Sequence, residues 1–267
     1  MKPLVLLFLC CTALPACSQP DSVERHVPQF VLKTIPVGES RIVLRQMMFN
    51  TEPLFVLLQL HSNEGTAAAV AEKLARQEGI PFFQLINNKN RLVSFTVSGR
   101  QYQFDPNRVF SDKGIEKTLT LTSRFTKQGF TVVRRFRDSL LSFFLPEKPI
   151  VAVHNNTNEH FSIRQYGQLK RGRVHMNAAQ DEDDFFITND AEIFSHLKAK
   201  DYNVVLEDAG HLEEDGSLSL YCNRKQVRYI NVEAEHGHEE EQYGMLAAVL
   251  QYFKQKKSLN PKSFGEK

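Results

Sequence analysis

Apolar runs that each end in a cluster of polar, chemically active residues constrain this chain more than any other feature. Phe55–Leu60 (FVLLQL) leads into His61, Ser62, Asn63 and Glu64, and Ile150–Val153 (IVAV) leads into His154, Asn155, Asn156 and Thr157. Tyr229–Val232 (YINV) leads into Glu233, Ala234, Glu235, His236, Gly237 and His238, and the segment around Tyr102 leads into Asp105, Pro106, Asn107 and Arg108. Short continuous apolar runs are what strands buried on both faces look like. Further strands are expected at Arg91–Val97 and Tyr102–Phe104, broken by Ser98-Gly99, and at Phe185–Thr188, Asn203–Leu206, Leu218–Tyr221 and Val227–Val232. Helices are expected at Thr66–Gln77, stopped by Gly79-Ile80-Pro81, at Ala191–Ala199, and from about Glu240 to Lys254. Phe130, Val133, Phe136, Leu140, Leu141 and Phe144 recur at helical spacing, and Pro146 closes that helix. Strands alternating with helices predict an α/β fold: a mixed, largely parallel central sheet with helices on both faces. Ligands of such sheets bind beyond the carboxyl ends of the strands, where the four polar clusters fall.

Composition narrows the classes. With 267 residues, 42% hydrophobic and 24% charged, the chain is neither disordered nor collagen-like nor a coiled coil. A net charge of +2 gives no reason to propose nucleic acid as a partner. Of the 4 cysteines, Cys10, Cys11 and Cys17 lie at the N-terminus, so Cys222 has no internal disulfide partner and reads as a small buried hydrophobe on a strand. The chain opens with Met1-Lys2-Pro3, an apolar run from Leu4 to Leu14, and Pro15-Ala16-Cys17. That run is too short to span a membrane and reads as an export signal. The boundary Leu14-Pro15-Ala16-Cys17 resembles a bacterial lipobox, whose cysteine is acylated and becomes the new N-terminus; a plainly cleaved signal is the alternative. The expected organisation is a signal peptide at 1–16, a polar tether at 17–26, the folded domain at 27–255 and a frayed polar tail at 256–267. The expected location is exported and lipid-anchored to a bacterial membrane, with the choice of inner or outer membrane open.

His61 and Glu64, three residues apart in a tight loop, can reach one metal ion. With a remote histidine they make a two-histidine, one-glutamate set with an open position, the arrangement of catalytic zinc. His154 alone would read as a hydrogen-bonded core histidine. Asp181–Asp184 (DEDD) lacks the turn glycine of a calcium loop and reads as a solvated acidic loop. His236 and His238 read as a loop pair without metal.

The ordered set HSNEG (His61–Gly65), RQYQFDPNRVF (Arg100–Phe110), VHNNTN (Val153–Asn158) and YINVEAEHG (Tyr229–Gly237) resembles the zinc carboxypeptidase superfamily. In motif spacing it is most similar to the aspartoacylase and succinylglutamate desuccinylase branch. Ser62 stands where that family has glycine, and Pro106 where leucine is common. The resemblance implies that His61, Glu64 and His154 hold Zn²⁺ and that a strand-end glutamate is the general base. Glu233 is favoured for that role and Glu235 stays open. It also implies that Arg100 stabilises the oxyanion, and that Asn107 and Arg108 grip a substrate carboxylate. The implied activity is that of a zinc metallocarboxypeptidase or amidohydrolase, cleaving an amide or peptide bond beside a free carboxylate. Peptidoglycan stem peptides are within reach of a tethered enzyme. An N-acyl amino acid deacylase, or a non-catalytic binding lipoprotein that keeps the fold, are the alternatives. No substrate-clamping tyrosine can be placed, and oligomeric state is open.

The anchor has a direct test. Cys17→Ser should release the protein from membranes or stall its maturation in a fractionation experiment, and unchanged membrane partition would contradict a lipid anchor.

Overall fold

A computed structural model describes residues 26–144, 147–157, 161–169, 172–208, 210 and 212–259. The proposed signal, Cys17 and most of the tether lie outside them, as does Pro146. No helix among the described residues is long and apolar enough to cross a membrane.

The strands are β1 (Gln29–Val37), β2 (Ser40–Met48), β3 (Val56–Gln59), β4 (Phe82–Ile86), β5 (Val93–Val97), β6 (Arg100–Phe104), β7 (Ile150–Asn156), β8 (Gly172–His175), β9 (Phe185–Thr188), β10 (Val204–Glu207) and β11 (Tyr229–Glu235). The helices are α1 (Gly65–Glu78), α2 (Asp112–Thr122), α3 (Lys127–Ser142), α4 (Ile163–Leu169), α5 (Ala191–Ala199), α6 (Leu218–Lys225) and α7 (Glu239–Leu259), with a 3-10 turn at Pro106–Arg108. A nine-stranded sheet runs β1-β2-β4-β3-β7-β11-β9-β10-β8, and β5 and β6 form a separate hairpin. The sheet is mixed, as expected. Its parallel centre is β4-β3-β7-β11, and β9 pairs in parallel with β10. The pairings β1–β2, β2–β4, β11–β9 and β10–β8 are antiparallel.

Helices cover both faces. On one, Ala67, Val70, Ala71, Leu74 and Ala75 of α1 recur at helical spacing and pack with Leu197 of α5 and with Leu246, Val249 and Phe253 of α7. On the other, Leu119 of α2, Val133, Phe136 and Leu140 of α3, and Leu218 of α6 pack with Phe95, Tyr102 and Phe104 of the hairpin. The strands that carry the site read as predicted because nearly every residue is buried: all of β3, and Ile150–His154 of β7.

Three expectations change. Leu218–Tyr221 belongs to a helix, with Ser217 Oγ accepting the Leu220 N–H at its start and Gln226 in a left-handed conformation at its end. A four-residue apolar run does not separate strand from helix, and here the caps decide. Cys222 is therefore buried on a helix. The last helix runs to Leu259, past the start of the expected tail at 256.

One contact ties this scaffold to the site. Gly114, in the first turn of α2, lies against Gly216, whose φ is +75°, and against the Arg108 carbonyl. A Cβ at Gly114 would stand 2.3 Å from Gly216 Cα and 2.7 Å from Arg108 O. Gly114→Ala should therefore push these backbones apart and cost about 1–3 kcal/mol, as overpacking does, measured by denaturant unfolding.

Candidate metal centre

The site forms where β3, β7 and β11 end side by side. β3 delivers the loop His61–Glu64, and α1 begins at Gly65 immediately after it. The buried Gln59 side chain donates to the Glu64 carbonyl at 2.6 Å, while its own oxygen accepts from Gln84 at 2.7 Å. Ser62 Oγ accepts the backbone N–H groups of Asn87 and Lys89, so this serine stitches the loop to the end of β4. His154 lies on β7 directly opposite Glu233 of β11. Asn155 Oδ1 accepts the Ala67 N–H at 2.8 Å, satisfying an otherwise unpaired donor of the first turn of α1. The buried Gln242 of α7 donates to the His154 carbonyl at 2.9 Å. Strand, helix start and neighbouring strand are thus locked at one point.

Three donor groups converge there. His61 Nδ1 stands 2.9 Å from Glu64 Oε1 and 3.2 Å from His154 Nδ1, and His154 Nδ1 stands 3.0 Å from Glu64 Oε2. His61, Glu64 and His154 are 1%, 3% and 3% exposed, so water does not relieve the crowding. Two imidazole nitrogens aimed at each other can share at most one proton, whereas a cation satisfies both lone pairs and the carboxylate at once. Ligand atoms about 2.0–2.2 Å from a tetrahedral zinc ion lie roughly 3.3–3.5 Å from one another, close to the observed separations. Two imidazoles and a carboxylate suit a divalent transition-metal ion, zinc among them. His154 Nε2 is buried without a hydrogen-bond partner among the described residues.

The electrostatics belong to this cluster. Burial alone would lower the His61 pKa, but Glu64 and Asp105 outweigh it and lift the imidazole to about 9. Burial alone would raise the Glu64 carboxyl, but His154 and His61 outweigh it and lower the pKa to about 2. Glu233, 7% exposed, accepts from Asn231 Nδ2 at 2.9 Å on Oε1. Burial pushes its carboxyl up, the charge of Glu64 adds to the rise, and His154 opposes it.

A cavity of about 670 Å³ opens over this cluster, a volume usual for a small-molecule site. His61, Glu64, His154, Glu233, Asn107 and Arg108 all line it. Asn107 also accepts the Leu218 N–H through Oδ1, and Arg108 faces Asp215 at 3.9 Å.

Three sequence expectations change. Arg100 is exposed at the start of β6, paired with Val97 across the hairpin, and does not line the cavity. It precedes Asp105 by a full strand, roughly 16 Å of extended chain. The guanidinium beside Glu64 is that of Arg91, which donates to Glu64 Oε1 at 3.0 Å and lies 3.4 Å from Asp105. Glu235 points to a different cluster, with His238 at 3.4 Å, and Glu233 is the strand-end glutamate in the cavity. Asp183 and Asp184 of the acidic segment are buried rather than solvated, and Asp184 accepts the Glu235 N–H. Asp105 was missed as a site residue. Its Oδ1 stands 2.8 Å from His61 Nε2, so it fixes the ring with Nδ1 turned toward Glu64. Its position directly after a strand was the available signal.

No protein-family model and no curated protein matches this sequence. Solved structures do. A murein-tripeptide amidase from Escherichia coli O157 is 12% identical with a TM-score of 0.46, over 87% of this chain and 95% of that one. An aspartoacylase family protein from Mesorhizobium loti is 14% identical with a TM-score of 0.45, over 85% of this chain and 68% of that one. N-formylglutamate amidohydrolase from Ralstonia eutropha is 10% identical with a TM-score of 0.37, over 79% and 97%. At such identities and scores these likenesses carry no argument about activity, so the chemistry rests on the site itself.

If Asp105 holds the His61 ring, Asp105→Asn should weaken metal binding about 10- to 100-fold, the usual effect of losing a carboxylate behind a metal-bound histidine. Competition with a chelator of known affinity measures it.

Proposed function

We propose that this protein is a zinc-dependent hydrolase that cleaves an amide or peptide bond beside a free carboxylate. The observation that carries the reading is the convergence of His61, Glu64 and His154 in one cavity with a buried Glu233 and with Arg108. His61, Glu64 and His154 would hold the ion. When bound, zinc supplies Lewis acidity, polarising a carbonyl and making water a stronger acid.

The chain's own residues supply the rest. Asn231 holds one oxygen of Glu233, leaving Oε2 to take a proton from the attacking water and return it to the leaving amine. A carboxyl raised by burial is better matched to that exchange near neutral pH than a solvated one. Arg91 takes the place assigned to Arg100, setting positive charge beside the ligands where negative charge develops. Arg108, whose guanidinium can bind two carboxylate oxygens at once, orients the substrate by its free carboxylate, with Asn107 beside it. Tyr166, buried in the cavity wall, supplies an aromatic surface.

The export-signal pattern of the first residues and the lipobox-like boundary Leu14–Cys17 favour an activity outside the cytoplasm, on a lipid anchor. Peptidoglycan stem peptides are then the amide-linked, carboxylate-bearing polymers held nearest to it.

Kinetics of purified, zinc-loaded protein separate the roles. Glu233→Gln should keep the metal and lower kcat by about 10²-fold or more, as loss of a general base does. Arg108→Ala should instead raise KM for carboxylate-bearing substrates, and amidation of that carboxylate should abolish the difference between wild type and variant. Full activity in Glu233→Gln would contradict the reading.

A further inference from the structure

The nine-stranded sheet ends in two edges of unequal kind. β8 at one end has four residues, whereas β1 at the other has nine, with β2 on one side and no further strand among the described residues. An edge strand presents unpaired N–H and C=O groups, and proteins usually blunt it with charge, a bulge or brevity. The centre of β1 has none of these. Its register against β2 is unbroken, and its one charged residue, Lys33, is drawn away over the Phe143 ring at 5.7 Å. Phe30, Val31 and Leu32, in consecutive positions, are 49%, 36% and 66% exposed.

The backbone of β1 sorts into two sets. A two-residue turn, Gly38-Glu39, joins it to β2, so Val37 and Ser40 are the first hydrogen-bonded pair. Bonded and non-bonded pairs alternate from there. Gln29, Val31, Lys33 and Ile35 therefore bond to β2, while Phe30, Leu32, Thr34 and Pro36 turn their backbone groups to the free edge. Pro36 agrees with this, since it has no N–H to give to the ladder. The outward donors are then Phe30, Leu32 and Thr34, bracketed by Pro28 and Pro36, which donate nothing. This set is symmetric about Leu32.

A strand that pairs antiparallel with its own copy needs such symmetry. About a two-fold axis at Leu32, Leu32 faces Leu32 of the second copy, Phe30 faces Thr34, and Pro28 faces Pro36. All three outward N–H groups of each copy then meet a carbonyl, and the prolines meet where no donor is needed. Residues two apart share a face, so Phe30 and Leu32 of both copies join into one apolar strip. Arg45 and Arg76 border it, each 5.6 Å from the Phe30 ring, and both pair with Glu72.

We infer that the protein pairs with a second copy of itself through β1, antiparallel and centred on Leu32, so that one sheet runs across both chains. The contact is isologous and closes after two copies, giving a dimer rather than a fibre. It goes beyond the hydrolase reading and does not depend on it.

The test uses the full chain in mild detergent. Light scattering should give twice the monomer mass. Leu32→Lys sets two ammonium groups face to face on the axis and should shift the mass to the monomer's. Thr34→Pro removes an outward N–H but no bond to β2, and should do the same; circular dichroism checks that both variants fold. Oxidation reads the register. Leu32→Cys should form an intermolecular disulfide above the wild-type background, because facing Cα atoms in a bonded antiparallel pair lie about 5.5 Å apart. Thr34→Cys should not, since its counterpart lies about 13 Å along the strand. A wild type that stays monomeric throughout a concentration series would overturn the inference, and slow amide exchange at Phe30, Leu32 and Thr34 in that monomer would show the chain's own segment on the edge. A dimer unaffected by Leu32→Lys and Thr34→Pro, or one cross-linked by Thr34→Cys and not by Leu32→Cys, would overturn it as well.

Discussion

The structure depends on holding two imidazole nitrogens and a carboxylate within about one ligand sphere of each other, away from water. His61 Nδ1 and His154 Nδ1 face each other at 3.2 Å with both oxygens of Glu64 against them. Buried polar atoms crowded this way are costly unless something compensates them, and the surroundings are arranged around that compensation. Asp105 turns the His61 ring, Gln59 fixes the carbonyl of Glu64, Gln242 fixes that of His154, and Asn155 joins the strand of His154 to the first turn of α1. The parallel centre of the sheet matters because it brings the ends of β3, β7 and β11 to one edge.

The same arrangement makes the cavity polar in a directed way. Arg91 and Arg108 stand on the side of the His61 loop and the 3-10 turn, while Glu233, Asn231 and Glu207 follow one another along the sheet face. In the proposed reaction a substrate carboxylate held at the arginine side would be oriented before any bond is broken, which is how binding geometry lowers a barrier. Asn231 donates to Glu233 through its nitrogen and so fixes one carboxylate oxygen.

The parts legible in the sequence were those where burial leaves no choice. β3, β7 and β11 open on apolar runs because both faces are covered, and those runs lead into His61, Glu64, His154 and Glu233. β1 and β2 were not foreseen. β1 is a partly exposed edge strand with Phe30 and Leu32 facing outward, so its pattern does not resemble a core strand. Leu218–Tyr221 was misread because its caps lie outside the run itself. Arg100 was misassigned because spacing along the chain says nothing of the β5–β6 hairpin, which carries it away and leaves Arg91, at the hairpin's entrance, beside Glu64. Asp105 was overlooked because a carboxylate that acts through another residue's ring has no spacing of its own. The buried acidic pair Asp183 and Asp184 reads as a surface loop until the backbone of Glu235 is seen to need an acceptor.

The proposed chemistry requires that one ion be held by two imidazoles and a carboxylate. Zinc K-edge X-ray absorption on the metal-loaded protein examines that coordination shell directly. The account predicts only nitrogen and oxygen neighbours, near 2.0–2.2 Å, with the outer-shell scattering of two imidazole rings. A shell containing sulfur, or an oxygen-only shell without imidazole scattering, would contradict it.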